Sequence, residues 1–194
     1  MAYELVVIGA SWGGLSALER LLAGLPAGFQ TPIAVAQHRS ADSGTTSLAR
    51  LLDVRTPLRV VDAEDKHPIE SGHVYLAPPD YHLLVEDSGF ALSVDEAVLY
   101  SRPSIDVLFE SAADRYRNRL VAVVLTGAND DGAAGIAAVK SLGGFAIVQN
   151  PVEAERPEMP RAAMRAVDPD RVLSLAAIPG ALVELCGSAE RASR

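Results

Sequence analysis

The chain of 194 residues contains one cysteine, Cys186, so no internal disulfide can form and a reducing compartment is expected. Its neighbours Leu182, Val183 and Leu185 predict a helix face turned toward the interior. Positive charge is also short: 17 Lys+Arg stand against 25 Asp+Glu, giving a net charge of −8 and a pI of about 5.0. Such a surface does not gather phosphates by releasing counterions, so nucleic-acid binding is not expected. Met1-Ala2-Tyr3-Glu4 lacks the basic start of a signal peptide, and the first apolar run, Leu5–Ile8, stops at Gly9. No stretch is long and apolar enough for a membrane span, and a cytoplasmic location is expected. Repeats, low-complexity tracts and linkers are missing too. With 49% hydrophobic and 22% charged residues in 20.4 kDa, the chain predicts one domain over residues 1–187, followed by a fraying tail over 188–194.

Leu5–Ile8, Ile33–Ala36, Leu120–Leu125 and Phe145–Val148 are short apolar runs without polar alternation, the pattern of strands buried on both faces. Each precedes a Gly-rich or polar turn, and helical spacing usually follows. That alternation predicts an α/β fold: a doubly wound, mostly parallel sheet flanked by helices. Ile105, Leu108, Phe109, Ala112, Ala113 and Tyr116 form one helical stripe, with Pro103 predicted as its first residue. Ile136, Val139 and Leu142 mark another, predicted to stop at Gly143-Gly144. Between these units, Arg59–Val61, His73–Ala77, His82–Glu86 and Phe90–Val94 read as an antiparallel hairpin or meander at one edge.

Ile8-Gly9-Ala10-Ser11-Trp12-Gly13-Gly14 follows the first strand and opens a helix. A serine on such a turn stands above the carboxyl ends of the strands beside unpaired N–H groups, which suits a nucleophile. The same segment also suits a dinucleotide loop or a plain N-cap serine. A ribose-binding acid would then be expected after the second strand, where Gln37-His38-Arg39 stands instead. His38 is a candidate base if neighbouring strands bring it to Ser11. After the next buried strand, Thr126-Gly127-Ala128-Asn129-Asp130-Asp131-Gly132 offers an acid, Asp131, to orient the imidazole. Either Asp130 or Asp131 also suits a helix N-cap or a hard cation, and the absence of a Cys/His cluster argues against a transition metal. The chain order Ser, His, Asp differs from the Ser, Asp, His order of α/β-hydrolases. His67, His73 and His82 belong to the meander and receive no catalytic role. Trp12 fits either the core or the wall of a substrate groove, and Arg39, Arg102, Arg156 and Arg161 suit either an acidic substrate or plain solvation.

Ile8-Gly9-Ala10-Ser11-x-Gly13-Gly14, Gln37-His38, Gly72–Pro78, Arg102–Phe109, Leu125-Thr126-Gly127, Asp131–Gly135 and Gln149-Asn150 through Met159-Pro160 together resemble the catalytic domain of the CheB-type chemotaxis receptor methylesterases, from about residue 4 to residue 185. The resemblance implies hydrolysis of glutamate γ-methyl esters on chemoreceptors, with deamidation of receptor glutamines in many members. It implies a triad of Ser11, His38 and Asp131, an oxyanion-hole amide at Ala128, no cofactor or metal, and the cytoplasmic domain of a methyl-accepting chemoreceptor as substrate partner. Other chemosensory proteins are expected partners as well.

The chain departs from the family at three places. Trp12 stands where Thr is usual, Ala128-Asn129 replaces the usual Met-Gly, and Pro151–Glu158 carries prolines and acids where small and apolar residues are common. The chain also starts at the first strand of the catalytic domain, where typical members carry a receiver domain before it; it reads either as a receiver-less member or as a fragment of a longer protein, and a free catalytic domain is expected to be constitutively open. Three rival readings stay in view: altered ester specificity, motivated by Trp12 and the 151–158 segment; a docking module without turnover; and nucleotide binding by the Gly-rich first turn.

Overall fold

The computed structural model describes residues 3–38 and 48–187; the expected tail and Arg39 lie outside them. Strands β1 (Leu5–Ala10), β2 (Ile33–Gln37), β3 (Arg59–Asp62), β4 (His73–Leu76), β7 (Leu120–Val124), β8 (Phe145–Gln149) and β9 (Arg171–Leu173) form one seven-stranded sheet in the order β3-β4-β2-β1-β7-β8-β9. Every pairing in it is parallel. Strands β5 (His82–Glu86) and β6 (Gly89–Ser93) make a separate antiparallel hairpin.

The doubly wound class read from the sequence stands, and one part of the edge changes. Strands β3 and β4, read as arms of an antiparallel meander, run parallel inside the main sheet, and among the strands of the described residues β5 and β6 alone pair antiparallel. Short apolar runs fix that strands exist, whereas direction depends on the connection. Residues 63–72 form a crossover rather than a tight turn.

Helices cover both faces, which explains why the central strands lack polar alternation. Alternate strand residues Val6 and Ile8 face α1 (Gly14–Ala23), α2 (Leu48–Asp53) and α6 (Ile178–Cys186) in one cluster that includes Leu18, Leu22 and Leu182. Leu5 and Val7 face the other side, with α3 (Ile105–Tyr116), α4 (Ala133–Ser141), α5 (Glu158–Ala166) and the hairpin. Phe90 and Phe109 are buried there, each contributing about 1.5–3 kcal/mol by leaving water. Cys186 is buried as expected. Helix α4 stops at Gly143, whose φ of 86° continues the chain into β8. At α3, however, Ser104 is the N-cap and Pro103 precedes it, because the Ser104 hydroxyl accepts from the Val107 N–H, which a proline in the first position does not displace.

From β1 the chain winds outward through β2, then returns to β7 on the other side of β1. The carboxyl ends of β1, β2 and β7 therefore meet where the winding reverses, the place where open α/β sheets form their sites. Ser11, His38 and the 126–131 loop leave the sheet there. Among the described residues, no helix is long and apolar enough to cross a membrane.

Candidate active site

Ser11 is fixed by its main chain. Its N–H donates to the Thr126 carbonyl at 3.0 Å, and its own carbonyl accepts from Gly14 N–H at 2.9 Å and from Gln37 Nε2 at 2.9 Å. Gln37 donates equally to the His38 carbonyl at 2.9 Å, so one buried amide holds both turns. The N-cap of α1 is Gly13, at φ 76° and without a side-chain cap. The Ser11 hydroxyl is thus not engaged in capping, contrary to the N-cap alternative, and is available for chemistry.

His38 continues the β1–β2 pairing through its N–H, which donates to the Ala10 carbonyl at 3.0 Å. Its Nδ1 lies 3.1 Å from Ser11 Oγ, and its Nε2 lies 2.6 Å from Asp131 Oδ2. A carboxylate at Nε2 holds the proton on that nitrogen and leaves the Nδ1 lone pair facing the hydroxyl. This is the tautomer a base needs to take the hydroxyl proton.

Asp131 is buried behind the imidazole and meets the amino end of α3. Oδ1 accepts from Ser104 Oγ–H at 2.9 Å and Asp106 N–H at 3.0 Å; Oδ2 accepts from Ile105 N–H at 2.8 Å and from His38. Burial alone raises its pKa, but the hydrogen bonds from His38, Ile105 and Asp106 outweigh that and hold it below the ordinary value. A helix N-terminus favours the same charge. Asp130, the other acid considered, is exposed and reaches only Arg165, at 3.4 Å. With its oxygens taken by N–H and O–H donors, Asp131 suits imidazole orientation better than a hard cation. Among the described residues no three acidic, His or Cys side chains are grouped to hold a metal.

The structure therefore brings Ser11, His38 and Asp131 into one hydrogen-bonded line. Trp12 is 59% exposed, on the wall side of its two expected placements. Ala128 is exposed and follows Gly127, which lies so close to Ser11 that a Cβ there would stand 2.9 Å from the Ser11 Cβ. Among the described residues, neither the Trp12 nor the Ala128 N–H has a protein acceptor. At the first turn, Gln37 closes on Gly14, where a Cβ would meet its Oε1 at 2.0 Å, and the acid a dinucleotide ribose requires is missing. Arg102 is spent on Asp80 and on the carbonyls of Val94 and Asp95.

Several supporting residues were not singled out from sequence. Ser101 Oγ lies 3.3 Å from His38 Nδ1, a second hydroxyl at the same nitrogen. His82, buried and set aside as part of the meander, accepts from Ser104 N–H at Nδ1 and donates from Nε2 to the Glu96 carbonyl, both at 3.1 Å. It braces the segment that holds Asp131 and does not touch Ser11. Gln149 Oε1 accepts from Thr126 N–H at 2.8 Å and fixes the strand end beneath the loop. Ser104 carried a readable cap signal; Ser101 and His82 carried none, because only the fold brings them near.

The chain is similar to known proteins along nearly its whole length. The profile of the CheB methylesterase family matches residues 6–182. The chain is 47% identical over 186 residues to a Leptospira interrogans protein named "Putative protein-glutamate methylesterase/protein-glutamine glutaminase", covering 95% of this chain and 96% of that one. A Thermotoga maritima protein-glutamate methylesterase/protein-glutamine glutaminase is 37% identical, with 94% of this chain matching 54% of the relative. The crystal structure of the Thermotoga maritima CheB methylesterase catalytic domain superimposes with a TM-score of 0.89 at 35% identity, covering 95% of this chain and all of that one.

Proposed function

The chain belongs to the CheB methylesterase family, and we propose that Ser11, His38 and Asp131 are the triad with which it hydrolyses glutamate γ-methyl esters of chemoreceptors to carboxylate and methanol. The observation that carries this assignment is the hydrogen-bonded line from Ser11 Oγ through both nitrogens of His38 to Asp131, at 3.1 and 2.6 Å.

The steps follow from that line. His38 Nδ1 takes the Ser11 proton as Oγ attacks the ester carbonyl, and Asp131 stabilises the imidazolium. The N–H groups of Trp12 and Ala128 receive the developing oxyanion; a donor of this kind is worth about 3–4 kcal/mol in hydrolases where it has been removed. His38 returns the proton to the departing methoxide, leaving a glutamyl ester on Ser11. Water, deprotonated by the same nitrogen, then cleaves that ester and restores the hydroxyl. Attack on a receptor glutamine amide uses the same groups and releases ammonia, which fits the glutaminase half of the relatives' names. No step requires a metal or an organic cofactor. Trp12 walls the groove that admits the receptor helix, and the reaction takes place in the cytoplasm, where receptor signalling domains lie.

The test is methanol release from methylated receptor cytoplasmic fragments by the native protein and by Ser11→Ala at equal concentration. Release by the native protein alone is expected. Hydrolysis of small esters with no release from receptor fragments would leave the triad in place and assign it to a different ester.

A further inference from the structure

Two departures from the family pattern, Trp12 and the 151–158 segment, meet in space. Trp12 follows the candidate nucleophile directly, and its Nε1–H donates to Glu155 Oε1 at 3.1 Å. The Arg156 guanidinium lies 5.4 Å from the centre of the Trp12 ring. Thr126 ties the two backbones together: its hydroxyl donates to the Trp12 carbonyl at 3.0 Å, and its Oγ1 accepts from Arg156 N–H at 2.9 Å. Gly127 N–H closes the arrangement on the Arg156 carbonyl at 3.1 Å. Arg156 is thus held at the rim from its main chain and across the face of its side chain.

Its charge is not neutralised there. Glu155, the acid next to it, is occupied by the indole, and among the described residues Arg156 forms no ion pair. Some surface cations are neutralised in place: Arg55 pairs with Glu19, Arg102 with Asp80, Arg115 with Asp87, and Arg171 with Glu184. On a chain of net charge −8, this sets an unneutralised positive charge against the residue that follows the candidate nucleophile. Stacking on indole keeps the guanidinium ordered while leaving the N–H fork free, and that fork matches a carboxylate.

Resting on the esterase reading above, the geometry points to Arg156, ordered by Trp12, as a specificity-determining anchor for a free carboxylate on the same substrate helix as the methyl ester. The acid would lie about three or four residues from the ester, the spacing that places two side chains on one helix face. The site then favours an ester with an acidic neighbour over one with a neutral neighbour.

Two helical peptides test this, each carrying one glutamate γ-methyl ester, with Glu or Gln four residues away. At low salt the native protein is expected to favour the Glu peptide by about fivefold in kcat/KM, mainly through KM, with the preference shrinking as salt is added. Arg156→Met should bring the two peptides to the same kcat/KM. Arg156→Lys should keep part of the preference, and Trp12→Thr should weaken it by releasing the guanidinium. Equal kcat/KM for the native protein, or a preference that survives Arg156→Met, overturns the anchor and leaves the esterase reading standing. Methanol from neither peptide overturns both.

Discussion

Asp106 and Asp131 cap each other's helices. Asp131, just before α4, accepts from the first-turn N–H groups of α3, while Asp106, in the first turn of α3, accepts through Oδ1 from Gly132 N–H at 2.8 Å and from Gly135 N–H at the amino end of α4 at 2.6 Å. Each carboxylate satisfies donors that the other helix would leave unpaired. The exchange fixes the height of Asp131 behind His38. Orientation of the imidazole is therefore tied to the packing of two helices.

That exchange has a pH signature. Asp106 is pushed up to about 6, first by burial and further by the charge of Asp131, from an ordinary 3.8. A carboxyl raised by folding binds its proton more tightly folded, so its contribution is full below about 3.8 and lost as pH rises through about 6. Asp131, lowered by folding, has the opposite sign: its contribution is present above 3.8 and lost as pH falls through its lowered value. Asp106→Asn keeps a carbonyl oxygen for Gly132 and Gly135 but removes the charge. Its stability relative to the native protein is expected to rise with pH across the window from 3.8 to about 6 and then level, as read by urea unfolding at fixed pH values. A flat difference would mean that Asp106 titrates alike in both states.

Ser11→Ala and His38→Ala are each expected to lower kcat by roughly 10⁴- to 10⁶-fold, and the double variant should be little worse than either. Each removes the same proton transfer, so nothing remains for the second change to remove. Methanol-release rates of the three variants at matched concentration give the answer. Losses that multiply would show the two side chains acting separately.

The two neighbouring acids separate sharply. Asp131→Asn leaves an amide that can donate to His38 and favour the wrong tautomer, for which a loss of about 10⁴-fold in kcat is expected. It also weakens the cap on α3, so unfolding midpoints should fall as well. Asp130→Asn removes only an exposed ion pair with Arg165, worth at most about 1 kcal/mol, and should leave turnover near the native rate. Reversed severities would move the acid's role to Asp130.

Legibility from sequence followed the range of the interactions. Strands buried on both faces announce themselves as apolar runs, and a parallel sheet puts their polar followers, Ser11, His38 and the 126–131 loop, at one edge. The site could therefore be assembled from three separate turns. Direction in the 58–94 segment was not legible, since β3 and β4 look the same run either way and only the 63–72 crossover decides. His82 and Ser101 were hidden for a related reason: their partners Ser104 and His38 lie 22 and 63 positions away. The choice between Asp130 and Asp131 needed the helix end that only folding brings.

Gly127 is where close packing and chemistry meet most tightly. A Cβ added there would stand 1.8 Å from Met159 Sδ and 2.9 Å from the Ser11 Cβ. Met159 is itself tied in, since its N–H donates to the Gly127 carbonyl at 3.0 Å and its side chain is buried. Gly127→Ala is therefore expected to cost roughly 1–3 kcal/mol by overpacking and to displace Ser11 from His38. Met159→Ala alone opens a void, at about 2–5 kcal/mol. In the double variant the new methyl enters space that the sulfur vacated, so the double should be more stable than the two losses summed, by a coupling of about 0.5–3 kcal/mol. Activity should recover less than stability, because the contact with the Ser11 Cβ remains when the methionine is trimmed. Urea unfolding and methanol release on the four proteins separate the two effects. Strict additivity would mean that Gly127 is required by its backbone alone, while full recovery of turnover would mean that Met159, rather than Ser11, was the side chain the glycine makes room for.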